Sequence, residues 1–355
     1  MTPLERIEGL QNFGYDLEEA RFLCTAALHS GFFLRRQFLS FINGMKGWKD
    51  VVLLNKLKAN GHCRVTFFRH SRMVYHLSAK PLYEALGEKD NRNRREHQPS
   101  TIKNKIMNLD YVLEHPDYHY LATEREKLDY FVRARNIAPE DLPTRLYSSP
   151  HGHDPKAKHF VESYPIFLPA PVEGMAAQVR FCYIDEGLQT TDRFATYMNQ
   201  YGRLYAALSD FHVIYVAELP RLFASAERIF QRFVASVFGS PDPVDPEQQR
   251  LLAYFQRRRL YENQDFSDFD TAGLIRFREE KKRFAGEPYE ALYTQWKAGD
   301  LESLDSALTA ASGPASSGTP IRQFSTYLLE HDYGLFGSLT HEYDKRRNTE
   351  PQTEP

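Results

Sequence analysis

Cysteine is scarce: Cys24, Cys63 and Cys182 are the only three, and they lie far apart. An odd, scattered set fits neither a disulfide framework nor a Cys-x-x-Cys metal site. Each reads as a small buried hydrophobe in a reducing compartment. Long apolar runs are also missing, and none approaches the roughly 20 residues that a bilayer span needs. The opening stretch Met1 to Gly9 is polar and acidic, unlike a signal peptide. No Gly-rich phosphate loop, Gly-x-Ser-x-Gly elbow or His-Glu-x-x-His stretch occurs, so no catalytic residue, cofactor or metal site is assigned from a motif. The expectation is a cytoplasmic, nucleoid-associated protein with no membrane partner.

What is present is a chain of 355 residues, 42% apolar and 14% aromatic, enough for two domains with real cores. Its net charge is only −2, but the charge is unevenly placed. Ser30 to Lys105 carries 16 Lys and Arg against 5 Asp and Glu, so the remainder carries −13. A basic segment on an acidic body points to a polyanion partner for that segment alone.

The same segment has a readable order. Asp16 is placed to cap a helix in which Leu17, Ala20, Cys24, Ala27 and Leu28 share one face, and Gly31 ends it. Leu34 to Phe41 predicts a second helix, with Leu34, Phe38, Phe41 and Ile42 inward and Arg35, Arg36 and Gln37 outward. A third helix is expected from about Lys49 to Lys58. Its inward stripe is Val51, Leu54 and Leu57, and Asn60-Gly61 stops it. Cys63 to Arg69 and Met73 to Ser78 then alternate like two strands around the polar tip Arg69-His70-Ser71-Arg72. Three helices followed by a basic hairpin is the order of a winged helix-turn-helix, whose third helix enters a DNA groove. On that reading the contacts to double-stranded DNA come from Arg35, Arg36, Lys49, Asn55, Lys56, Lys58, Arg69, His70 and Arg72. Asn55 can read adenine, while the cations meet phosphates or the minor groove. The pattern over roughly residues 15 to 90 resembles the winged-helix domains of bacterial transcription regulators and plasmid replication proteins.

Glu88 to Pro99, with Arg92, Arg94 and Arg95, reads as a solvated linker. Thr101 to Glu114 is a strong helix on Ile102, Ile106, Leu109 and Leu113, with Lys103 and Lys105 on its polar side. Thr123-Glu124-Arg125-Glu126 is a capping box opening another helix. Such helices either pair two copies into a homodimer or belong to the core of one chain.

Beyond about Arg133 the pattern changes to an α/β layer. Strands are expected at Phe160 to Tyr164, Ile166 to Leu168, Val179 to Ile184 and Phe211 to Ala217, and helices at Asp192 to Leu208 and Arg221 to Phe238. The stretch Val179 to Ala217, with Tyr183-Ile184-Asp185-Glu186-Gly187, Thr190, Phe194, Tyr197, Tyr201 and Val213-Ile214-Tyr215-Val216, resembles the C-terminal part of the replication-relaxation family. That resemblance implies a winged helix joined to a region like the restriction-endonuclease fold, in a protein of a plasmid or other mobile element. A working nuclease of that kind needs an acidic-x-Lys motif. Asp185 and Glu186 stand at a strand end with Glu162 upstream, but Gly187 and Leu188 occupy the lysine's place. The preferred reading of Asp185-Glu186-Gly187 is therefore a capped turn in a non-catalytic domain. His151-Gly152-His153-Asp154 has metal-ligand residue types but no partner cluster, and reads as a polar loop.

Further helices follow at Glu247 to Tyr261, Ile275 to Phe284, Tyr289 to Trp296 and Leu301 to Ala310. Ser312 to Pro320 is a linker, Ile321 to Phe336 a docking aromatic segment, and the end a tail. The expected fold is thus mixed α+β. Residues 1–90 form the winged helix, 91–135 the connecting or dimerising helices, 136–310 the α/β domain with a helical appendage, and 311–355 the linker and tail. The expected function is sequence-selective DNA binding in transcription or replication control. The rivals are a metal-dependent nuclease and a protein-interaction scaffold.

Overall fold

The computed structural model describes residues 1–44, 48–68, 72–147, 156–160, 164–169, 178–188, 190–208, 210–238, 246–262, 271–298 and 321–337. It is mixed α+β, and contacts divide it into two units. One comprises Met1–Phe233 with Ile321–Pro355; the other is Val234–Pro320.

The first unit opens with α1 (Pro3–Gln11), formed by the polar, acidic opening stretch. Thr2 and Glu5 close a capping box there. Asp16 caps α2 (Leu17–His29), and its carboxylate accepts from the Glu19 amide at 2.8 Å. There follow β1 (Phe32–Phe33), α3 (Arg35–Phe41), α4 (Trp48–Ala59), β2 (Cys63–Phe67), β3 (Met73–Leu77) and α5 (Lys80–Ala85). The strands form an antiparallel three-stranded sheet in the order β1-β3-β2. Phe22, Leu23, Phe33, Phe38, Leu53, Leu57, Tyr75 and Leu77 pack as one core beneath it.

Next comes α6 (Pro99–Glu114), the element on which the unit is built. Leu109 joins the core just described, while Ile102, Ile106 and Tyr111 join a second core with Cys182, Ile184, Ile214 and Val216. Buried on both faces, α6 also hides Lys103 and Lys105. The expectation of a polar side holding these two lysines is corrected: both lie inside, where each meets a polar partner described below.

The second core belongs to a five-stranded sheet. It contains β4 (His119–Tyr120), β7 (Ile166–Leu168), β8 (Val179–Asp185), β9 (Phe211–Ala217) and β10 (Arg322–Leu328), in the order β10-β9-β8-β7-β4. Strands β8, β9 and β10 run parallel; β7 and β4 are antiparallel to their neighbours. Every residue of β9 is buried, as a parallel strand covered on both faces must be. Alternation sends Cys182 and Ile184 toward α6, and Phe181 and Tyr183 toward α8 (Asp192–Gln200) and α9 (Gly202–Ala207). On that second face the rings of Phe324 in β10 and Phe230 in α10 (Phe223–Phe238) stack at 5.3 Å. The segment expected to dock near the C-terminus is therefore an edge strand. Strands β5 (Thr144–Tyr147) and β6 (Lys156–His159) make a separate pair after α7 (Glu124–Leu128), which Thr123 caps as expected.

The described residues of the second unit include three helices, α11 (Pro246–Glu262), α12 (Thr271–Arg283) and α13 (Glu287–Ala298). They close over Leu251, Tyr254, Phe255, Phe277, Phe284 and Tyr293. Two of its arginines pair between helices: Arg257 with Glu280 at 2.6 Å, and Arg258 with Glu290 at 2.7 Å.

Candidate nucleic-acid interface

Helix α4 turns Leu53, Leu54 and Leu57 into the core, and Asp50 is buried with them. Trp48, Val51, Asn55 and Lys58, spaced at helical intervals, form its exposed stripe. Val51 was expected inside and is 42% exposed. The inward positions are set by Leu53 and Leu57, which leaves Val51 on the far side of the helix. Trp48, at the start of the helix, is 81% exposed.

The expected contact residues divide sharply. Asn55 and Lys58 are exposed on the stripe. Lys49 lies beside it and bonds Glu18 at 2.6 Å, both side chains exposed. Lys56 instead reaches inward to Glu19, at 2.6 Å, where the glutamate is almost fully buried and also caps α2 through the Asp16 amide. Arg35 pairs with Asp50, and that bond raises the guanidinium pKa further.

Arg36 and Gln37 were expected to face outward, and this is corrected. Gln37 is fully buried; its amide donates to the Ile106 carbonyl at 3.0 Å and to Asp110 at 2.9 Å, and its oxygen accepts from the Leu34 amide at 2.8 Å. Arg36 holds the same Asp110 through two bonds. These residues fasten α3 to α6. In the hairpin, Arg72 bonds Asp332 at 2.6 Å with both partners exposed. Arg69 and His70 lie outside the described residues. Flanking the tip, Phe67 is 67% exposed and stands opposite Met73 in the ladder.

The stretch expected as a solvated linker is docked at its centre. Asn93 is buried, and its amide nitrogen donates to the Ala27 and Leu28 carbonyls at 2.9 and 3.0 Å, at the end of α2. Its amide oxygen accepts from the Lys105 ammonium at 2.6 Å. Its backbone carbonyl accepts from His76 Nε2 at 3.0 Å. The His76 ring stacks on Phe32 at 4.0 Å, and burial lowers its pKa. Nothing in the linker's composition distinguished Asn93 from its polar neighbours; the signal was the row of unsatisfied carbonyls at the end of α2.

At the C-terminal ends of β8 and β9 lies the acidic group that a nuclease reading would use. Asp185 Oδ1 accepts from the Gly187 and Leu188 amides at 3.0 and 2.8 Å, and Oδ2 accepts from Tyr215 at 2.8 Å. Glu186 accepts from Asn104 at 3.2 Å and Arg193 at 2.8 Å; burial raises its pKa. Lys103 of α6 pairs with Glu218. Each of these groups is engaged with a protein partner, and no cluster of three or more potential metal ligands occurs among the described residues. Glu162 and the His151 to Asp154 stretch lie outside those residues. Also among the described residues, no helix is long and apolar enough to cross a membrane.

Comparison with protein-family models, with curated proteins and with solved structures returns no match for this chain.

Proposed function

We propose that this chain binds double-stranded DNA through α4 and the β2–β3 hairpin, and that it acts in transcription or replication control. The observation that carries the reading is the exposed stripe Trp48, Val51, Asn55 and Lys58 on a helix whose other side is locked into a core. The order α2, β1, α3, α4, β2, β3 with sheet order β1-β3-β2 supports it, because it matches the winged helix-turn-helix arrangement. A helix of 12 residues is about 18 Å long and enters a major groove about 12 Å wide end-on or obliquely. Asn55 then supplies base readout, Val51 suits a thymine methyl, and Lys58 meets phosphate. The sheet region with its engaged Asp185 and Glu186 is read as non-catalytic.

Several cations of the segment already hold carboxylates, which shapes the test. Lys56→Ala would leave Glu19 buried without its cation, so a loss of binding there would mix folding with contact. Asn55→Ala and Lys58→Ala touch no partner within the core. The experiment is fluorescence anisotropy of the intact chain with random and selected duplexes at two salt concentrations. Binding should weaken steeply with salt as counterions are released. Lys58→Ala should reduce the salt slope by about one, and Asn55→Ala should cost about 1–3 kcal/mol on the preferred site only. Absence of binding at low salt would overturn the assignment. It would leave the scaffold reading, which the exposed Trp48 and Phe67 favour as anchors for a protein partner.

A further inference from the structure

We propose that the open cavity lined by Arg92, Lys105, Arg145 and Arg193 is a binding site for a small phosphate-bearing anion. The cavity holds about 580 Å³, within the range of ligand pockets and large enough for a mononucleotide. Four cations line it, three arginines and Lys105, against one carboxylate, Glu186, which pairs with Arg193. His97 adds no charge at neutral pH, because burial and nearby Lys105 lower its pKa to about 4. The wall therefore carries a surplus of three positive charges in an acidic protein.

The donor types favour phosphoryl oxygens. Guanidiniums carry planar, paired N–H groups that match a phosphate, although Arg193 already gives Nη1 to Glu186, and an ammonium acts as a point charge. Thr101 in the first turn of α6 also lines the cavity, so the positive end of a helix of 16 residues adds to the field. These features coincide at one place, and none would be sufficient alone.

Lys105 is the most informative group. Its ammonium is buried, and its bond is to the Asn93 amide oxygen at 2.6 Å rather than to a carboxylate. Burial lowers its pKa to about 8, so it remains mostly protonated at neutral pH. A desolvated ammonium held by an amide dipole gains more from an arriving anion than a solvated one does. Lys105 also touches the residue that ties together the end of α2 and strand β3, since Asn93 bonds Ala27, Leu28 and His76. An anion on Lys105 thus pulls on the support of the three-stranded sheet. That this would alter DNA binding rests on the function proposed above; the site itself does not.

The test is isothermal titration calorimetry of the full chain, at low ionic strength and without magnesium, with inorganic pyrophosphate and with ATP as separate probes. At least one should bind saturably. Arg145→Gln, at an exposed position, should weaken that probe by about tenfold or more; Arg193→Gln should do the same, with its urea midpoint measured alongside because this arginine also pairs with buried Glu186. Glu186→Gln should tighten it, because a wall carboxylate is removed. Arg125→Gln, a surface change on α7 with the same loss of charge, should bind as the parent does. Equal affinity for the two probes would assign recognition to the phosphates alone, and tighter ATP binding would add the nucleoside; both uphold the site. Failure of both probes to saturate would overturn it. So would unchanged binding in the Arg193 and Arg145 variants. Because the readout is ligand heat and not DNA binding, failure here leaves the DNA-binding reading standing, and the reverse also holds.

Discussion

Arg36 and Asp110 join α3 to α6 through two parallel bonds, Nη1 to Oδ1 at 2.6 Å and Nη2 to Oδ2 at 2.7 Å. Asp110 is only 2% exposed and also accepts from Gln37 and from Tyr333 at 2.7 Å. One carboxylate therefore gathers the helix before α4, the central helix and the C-terminal segment. Removing its cation leaves a buried charge supported by the neutral donors Gln37 and Tyr333, with His331 Nε2 3.8 Å away. Arg36→Ala should destabilise the protein by roughly 3 kcal/mol, at the low end for a buried pair because the arginine is itself partly exposed. The urea midpoint should fall with little change in slope. Arg36→Lys should recover only part of the loss, since an ammonium cannot make the two parallel bonds. An unchanged midpoint would show that the pair is dispensable.

His331 and Glu114 make a pH-dependent clasp between the C-terminal segment and α6, at 2.6 Å. The bond to Glu114 raises the His331 pKa above its ordinary 6.5, against burial. For Glu114, burial pushes upward most strongly, but the bonds from His331 and Tyr327 prevail and hold it below its ordinary 4.5. A raised histidine contributes stability that is complete below about 6.5 and is lost as pH rises through its folded value. A depressed glutamate contributes stability present above about 4.5 and lost as pH falls through its folded value. Both contributions are in place at about pH 5–6. The difference in unfolding free energy between the parent and His331→Gln should be largest there and shrink as pH rises through the raised His331 value. The difference is the right quantity, because buried His29 and His97, lowered to about 4, destabilise the whole fold as pH falls below their unfolded values and cancel in the comparison. A difference independent of pH from 5 to 9 would remove the clasp from the account.

Much of this architecture could be read from local signals. The Asp16 cap, the stop at Asn60-Gly61 with Gly61 at φ +64°, the two strands around the basic tip and the apolar runs of β8 and β9 are all written within a few residues of where they act. What escaped were polar residues whose partners are distant in sequence. Gln37 and Arg36 look like surface residues until α6 arrives some seventy positions later, and Lys105 looks solvated until Asn93 and the sheet enclose it. β10 pairs in parallel with β9 more than one hundred residues away, and its polar alternation resembles an exposed segment because it is an edge. In the candidate interface Lys49 and Lys58 are exposed as expected, but Arg36 and Lys56 turn to buried carboxylates. Composition counts charges, and only the fold shows which carboxylate each one meets.

Gly31 links the end of α2 to the docked segment above it. Its φ of +80° is left-handed, and an added Cβ would run into the Asn93 carbonyl. Gly31→Ala should therefore strain the backbone and push Asn93 off Ala27 and Leu28, costing at least about 2 kcal/mol. The urea midpoint reads the first effect. Faster hydrogen exchange at the Asn93 amide, which is held by Asn91 Oδ1 at 2.9 Å, reads the second. Loss of stability with unchanged exchange there would mean that the strain is absorbed in α2 and that the segment is not held as described.

Asp185 separates a structural role from a chemical one. Both of its oxygens are engaged: Oδ1 bridges two amides of the turn after β8, and Oδ2 takes the Tyr215 hydroxyl from β9. A metal would have to displace these bonds, and Glu186 beside it is held by Asn104 and Arg193. The capped-turn reading of Asp185-Glu186-Gly187 predicts that Asp185→Ala costs about 2–3 kcal/mol, the range for bonds to a buried charged acceptor. Asp185→Asn should cost much less, because an amide oxygen still accepts from the turn and its nitrogen can donate to Tyr215. Supercoiled plasmid incubated with the parent protein and magnesium or manganese should stay intact. Cleavage that required the carboxylate, abolished by Asp185→Asn at unchanged stability, would reverse the assignment and make the end of β8 a nuclease centre.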